Sequence, residues 1–169
     1  GVQCDPIEKK PLFHAYPGGL ALSFGMLGCD LHCGYCQNWV TSQALRDPVA
    51  GGAIQEISPD QIVALAQRYG AKVVTSTYNE PLITSEWAVA VFRSARQAGL
   101  TCSFVSNGNA TGQVLDYLEP YVDLYKVDLK TFQDHHYRKL GGRLQPVLET
   151  IEALIRRDIG TEIVTLVVP

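Results

Sequence analysis

Five short apolar runs constrain this chain more than any other feature of its sequence, because each of the first four is followed by residues at helical spacing. The runs span residues 20–27, 72–78, 101–105, 122–129 and 162–168. The first is apolar nearly throughout, as strands covered on both faces are. Between them lie helix signals. Ser58-Pro59-Asp60-Gln61 combines an N-cap serine, a proline at the first helical position and a capping-box glutamine. Ile62, Leu65, Ala66 and Tyr69 then recur on one face, and Gly70 stops the helix. Similar spacing predicts helices over about 84–98, 111–118 and 144–157, a short helix around His135, His136 and Tyr137, and another over 35–44. Strand then helix, repeated, implies an α/β chain of parallel strands joined by right-handed crossovers. Gly51 and Gly52 mark a turn.

Residues 1–19 have no period, carry Pro6, Pro11 and Pro17, and read as an extended arm before a core domain over 20–169. The 169 residues suffice for one domain with a real core. A 46% apolar and 18% charged composition is that of a globular protein. A net charge of −3 offers no footprint for nucleic acid or an anionic membrane. No apolar run approaches the roughly 20 residues of a membrane span, and no signal peptide is read. Clustered reduced cysteines fit the cytoplasm.

In a parallel barrel the polar residues at the C-terminal strand ends build the active site. Here those ends carry Cys29 to Cys36, Asn79-Glu80, Ser106-Asn107 and Asp128-Lys130. The first holds three of the five cysteines, spaced C-x3-C-x2-C, immediately after the first strand. In a cubane cluster each of four irons takes one outer thiolate, so three cysteines leave one iron open. An open position separates a catalytic metal site from a closed structural one. Other readings stand beside this one: a Cys3His zinc site using His32, a disulfide with a spare thiol, and an electron-transfer cluster completed by Cys4 or Cys102. His14, His135 and His136 read as surface residues, and Cys102 as a buried strand residue.

With Tyr35 as the aromatic, C-x3-C-x-aromatic-C resembles the signature of the radical S-adenosyl-L-methionine (SAM) enzymes. The resemblance implies a partial (β/α)6 TIM-like barrel with about five parallel strands present. It implies a 4Fe-4S cluster on Cys29, Cys33 and Cys36, with SAM on the open iron. Reductive cleavage of SAM would yield a 5'-deoxyadenosyl radical that abstracts hydrogen from a substrate. Glu80 is then an acceptor for the SAM ammonium, and Asn79 can bond either end of its amino acid part. Lys130 pairs with the carboxylate, and Ser106 or Asn107 bonds the ribose. Tyr-Asn-Glu-Pro stands where many members have Gly-Gly-Glu-Pro. Asp128-Leu129-Lys130 and Ser106-Asn107-Gly108 resemble motifs of the glycyl-radical-enzyme activases, although Val105 stands where those have Asp.

A finer resemblance rests on four segments: Glu8-Lys9-Lys10-Pro11-Leu12-Phe13-His14, Tyr16-Pro17-Gly18, Cys36-Gln37-Asn38-Trp39 and Tyr137-Arg138-Lys139-Leu140. Together they resemble the AmmeMemoRadiSam-system radical SAM proteins, relatives of the pyruvate formate-lyase activating enzyme. Members of that group are longer at both ends, so the chain reads as a core piece. The implied partners are SAM, an electron donor such as flavodoxin or ferredoxin, and a protein substrate; the alternatives are a glycyl-radical-enzyme activase and a Cys/His zinc-binding structural module.

Overall fold

The structure, a computed structural model, describes residues 1–51 and 54–167. Gly52 of the expected turn and Val168 of the last expected strand lie outside the described residues. One six-stranded sheet runs in sequence order: β1 (Val2–Pro6), β2 (Leu20–Phe24), β3 (Val73–Ser76), β4 (Thr101–Ser106), β5 (Leu124–Asp128) and β6 (Gly160–Val164). The strands β2 to β6 are parallel, in the register Ala21↔Val73, Val73↔Thr101, Ser103↔Leu124 and Leu124↔Gly160. Among the described residues β6 pairs only with β5, so the sheet is an open partial barrel.

The helices are α1 (Trp39–Ser42), α2 (Pro59–Tyr69), α3 (Ser85–Gln97), α4 (Gly112–Leu118), α5 (Asp134–Lys139) and α6 (Leu144–Arg156). The capping box at α2 forms as expected: Ser58 Oγ accepts from Gln61 N, and Gln61 Oε1 accepts from Ser58 N. Gly70, at φ 69°, closes the same helix in the left-handed region. One side of the sheet packs on these helices through Leu22, Phe24, Val74, Phe104, Tyr125 and Val127. Edge-on stacking of Phe24, Phe92 and Phe104 runs through that layer, with centroids 6.1 and 5.7 Å apart. None of the helices described is long and apolar enough to cross a membrane.

The other, inner face alternates with the first along each strand. Its lower end is closed by residues that follow β1. Ile7 and Leu12 pack there on Ala21, Val73 and Leu124. The extended arm therefore contains a strand that its half-polar sequence did not announce: β1 pairs antiparallel with β2, Val2 facing Phe24. The first apolar run also stops early. β2 ends at Phe24, and Met26 N donates to the Asn79 side chain at 2.8 Å in place of a ladder partner. The strand end is thereby given over to the loop that carries the cysteines.

Candidate functional site

The cysteine loop is fastened largely through its backbone groups. His32 N donates to Leu140 O at 2.9 Å, and Gln43 Nε2 donates to Leu31 O at 3.2 Å. Arg46 donates from both terminal nitrogens, to Leu31 O and Asp30 O, at 3.3 Å each. Glu80 N donates to Gly28 O at 3.1 Å, which ties the loop to the end of β3. All three thiols are free and half-buried. They line one cavity together with Asn79, Glu80, Ser106, Asn107, Asp128 and Lys130. The four strand ends singled out from sequence thus meet at one place. Tyr35, half-buried, lies outside the lining, beside Cys33. His32 is exposed and packs against Gly141.

Burial pushes the Cys29 thiol up to about 12 and raises that of Cys33 as well, with nearby Lys130 pulling the latter down. In the bare protein these groups are thiols, and a metal cation is what would make them thiolates. Among the described residues no three His, Cys, Asp or Glu side chains converge as they would on a single ion. A cluster makes a different demand, one iron for each sulfur, so its ligands need not meet at a point. The donor set fits a cluster with one open iron. The cavity, about 90 Å³, is smaller than the roughly 300–1,000 Å³ of a ligand pocket, so a nucleoside-sized ligand would enter only by parting its side chains.

Glu80 is buried and already has three donors. Leu82 N reaches Oε1 at 3.0 Å, Ser106 Oγ reaches Oε1 at 2.7 Å, and Asn107 N reaches Oε2 at 2.8 Å. A carboxylate accepts about four bonds, so roughly one direction remains for an ammonium. Burial raises its pKa from 4.5 to about 7, against the lowering effect of those three donors. The Ser106 hydroxyl, expected at a ribose, is spent on Glu80 and on Gly108 N at 3.0 Å. Asn79 bonds within the protein too, accepting from Met26 N and donating to Glu80 O at 3.0 Å.

Several residues of the site were not read from sequence. Asp30 accepts from Asn107 Nδ2 and from Asn109 Nδ2, each at 2.7 Å, clamping the cysteine loop to the end of β4. Tyr137, buried in α5, accepts from Lys130 N at 3.0 Å through its hydroxyl. Lys126 sits within β5 and is paired with Asp128. A charge at an interior position of a strand was the available signal for Lys126; Asp30 had only its place among the cysteines.

Lys10 belongs to this group. It is buried, donates to Tyr78 Oη at 2.9 Å and to Asp5 Oδ2 at 3.2 Å, and lies over the Tyr78 ring. Tyr78 has a positive φ of 73°, a strained conformation immediately before Asn79-Glu80. The arm thus braces the strained residue that aims the loop. Lys10→Met is expected to lower stability by about 2–3 kcal/mol, the worth of buried charged hydrogen bonds, read by urea unfolding. A change below about 0.5 kcal/mol would show that the brace carries nothing.

His14 is exposed and meets Glu162 at 3.2 Å, while His135 and His136 are solvent-facing, as expected. Cys102 is fully buried in β4.

The radical SAM superfamily model matches residues 25–169 of this chain. An uncharacterized protein of Methanocaldococcus jannaschii, MJ0808, is 35% identical over 165 residues, covering 98% of this chain and 48% of that protein. The chain thus spans about half the length of the curated relative it matches. The crystal structure of QueE from Escherichia coli aligns with 90% of this chain and 88% of its own, at 16% identity and a TM-score of 0.47. From the match over residues 25–169, the chain belongs to the radical SAM superfamily.

Proposed function

We propose that Cys29, Cys33 and Cys36 hold a 4Fe-4S cluster whose open iron takes SAM, and that the chain is the catalytic core of a hydrogen-abstracting enzyme. The observation that carries this reading is the meeting of three free thiols with the ends of β3, β4 and β5 in one cavity. When bound, cluster and SAM supply one-electron cleavage of a carbon–sulfur bond and a 5'-deoxyadenosyl radical. The protein's own groups bind and orient. Lys130, swung from Asp128, receives the SAM carboxylate. The remaining acceptor direction of Glu80 and the carbonyls near Asn79 receive the ammonium. Asp30, tied to Asn107 and Asn109, keeps the loop over the strand ends.

The Glu-Lys-Lys-Pro segment, whose Lys10 braces Tyr78, supports a place among the AmmeMemoRadiSam-system proteins. A small electron donor of the flavodoxin or ferredoxin kind completes the reaction. The test is anaerobic reconstitution with iron and sulfide, then electron paramagnetic resonance of the reduced protein with and without SAM. A cluster signal that shifts on adding SAM is expected. Tight zinc binding with no cluster would overturn the reading in favour of a structural module, and a cluster indifferent to SAM would make the chain an electron carrier.

A further inference from the structure

Asp128 carries two ammonium groups, one on each oxygen. Lys126 Nζ donates to Oδ1, and Lys130 Nζ donates to Oδ2 at 3.1 Å. The two lysines differ in their surroundings. Lys130 follows the end of β5, lines the cavity and keeps 21% of its side chain exposed. Lys126 sits two residues before Asp128 on the same strand face, with 4% exposed, across from Val105 on β4 and Glu162 on β6. Among the described residues its ammonium makes one hydrogen bond, to Asp128. An ammonium has three donors, and burying one with a single partner is costly. Such a group in the middle of a strand calls for a reason.

The charge balance supplies one. If Asp128 had Lys130 alone, drawing Lys130 onto a ligand would strip a part-buried carboxylate of its only cation. With Lys126 in place, Asp128 keeps a partner when Lys130 leaves. We infer that Lys126 is a positioning residue that neutralises Asp128 from below, so that Lys130 is free to receive a carboxylate in the cavity. The inference rests on the SAM reading above and names that carboxylate as the one on SAM. Burial, the largest effect, holds the Lys126 pKa below the ordinary lysine value, and Asp128 is the main group opposing that loss of charge.

The prediction concerns binding, so turnover is not needed to test it. SAM affinity is measured by calorimetry on the reconstituted, unreduced protein. Lys126→Met is expected to weaken SAM binding by at least about tenfold, because Asp128 then holds Lys130 to itself. Binding of decarboxylated SAM, which lacks the group Lys130 receives, is expected to change by less than about twofold. In an Asp128→Asn background the same Lys126→Met change is expected to have little effect, less than about twofold, because no charge remains to neutralise. This pair removes both members of the ion pair and serves even if the single variant folds poorly. A tenfold loss in the Asp128→Asn background, or equal losses for SAM and its decarboxylated analogue, would overturn the inference and leave Lys126 a structural residue. Wild-type protein that binds SAM, with Lys126→Met unchanged, would overturn this inference alone. Wild-type protein that binds no SAM would overturn the cofactor reading beneath it.

Discussion

Cys33→Ala is expected to yield a folded protein that takes up iron and sulfide only at background level and cleaves SAM more than about a hundredfold more slowly. Loss of even an outer-shell partner costs up to about that factor, and Cys33 is assigned to an iron directly. The fold should survive because the loop is fastened elsewhere. Its anchors are His32 N on Leu140 O, Gln43 and Arg46 on Leu31 O, and the two asparagines on Asp30. None of these uses the thiol, so the stability change should stay near 1 kcal/mol. Cys4→Ala is the control: Cys4 lies in β1, which pairs with β2, and does not line the cavity. Iron and sulfide analysis with far-ultraviolet circular dichroism on both variants decides the matter. Full iron content in Cys33→Ala would sink the three-thiolate site.

Glu80→Ala should be the most destabilising single change at the site. It leaves Leu82 N, Asn107 N and the Ser106 hydroxyl aimed at nothing in a buried place. Each orphaned donor costs about 1–3 kcal/mol, so a total near 4 kcal/mol is expected. At this chain length that is a fall of about 8–16 °C in melting temperature. Glu80 also predicts a pH dependence. Its folded value lies near 7, above the ordinary 4.5, because burial disfavours the charge. The folded state therefore binds more protons than the unfolded state between those values, and stability falls as pH rises through that window. The drop is about 3 kcal/mol, present in full above the window and absent below it. Glu80→Gln, which cannot titrate, should flatten this slope in urea unfolding of the protein before reconstitution. An unchanged slope would assign the titration to another group.

How far the sequence could be read follows from what kind of information each feature carries. Helices α2, α3 and α6 were legible to within a residue or two, because caps and 3.6-residue spacing act within one turn. The five parallel strands were legible as apolar runs, but their ends were not. β2 stops at Phe24 because the donors beyond it go elsewhere: Gly25 N to Gly1 O, and Met26 N to the side chain of Asn79, more than fifty residues away in the chain. β1 was not legible, since Val2-Gln3-Cys4-Asp5-Pro6 is half polar and becomes a strand only by pairing with β2.

The same division holds for the site. The sequence by itself determined where the chemistry-bearing groups lie along the chain: three thiols within eight residues, and polar residues at the ends of successive strands. Spacing along the chain is enough for that, because a ligand set on one loop and the exit of a strand are local properties. Only the tertiary structure decided which of those residues face a ligand and which face each other. Glu80 turned out to be held by Ser106 and Asn107, Asp30 by Asn107 and Asn109, Asp128 by Lys126 as well as Lys130, and Tyr78 by Lys10. Hydrogen bonds require donor and acceptor within about 3 Å and in line, and across strands that depends on register and loop path, which periodicity does not encode.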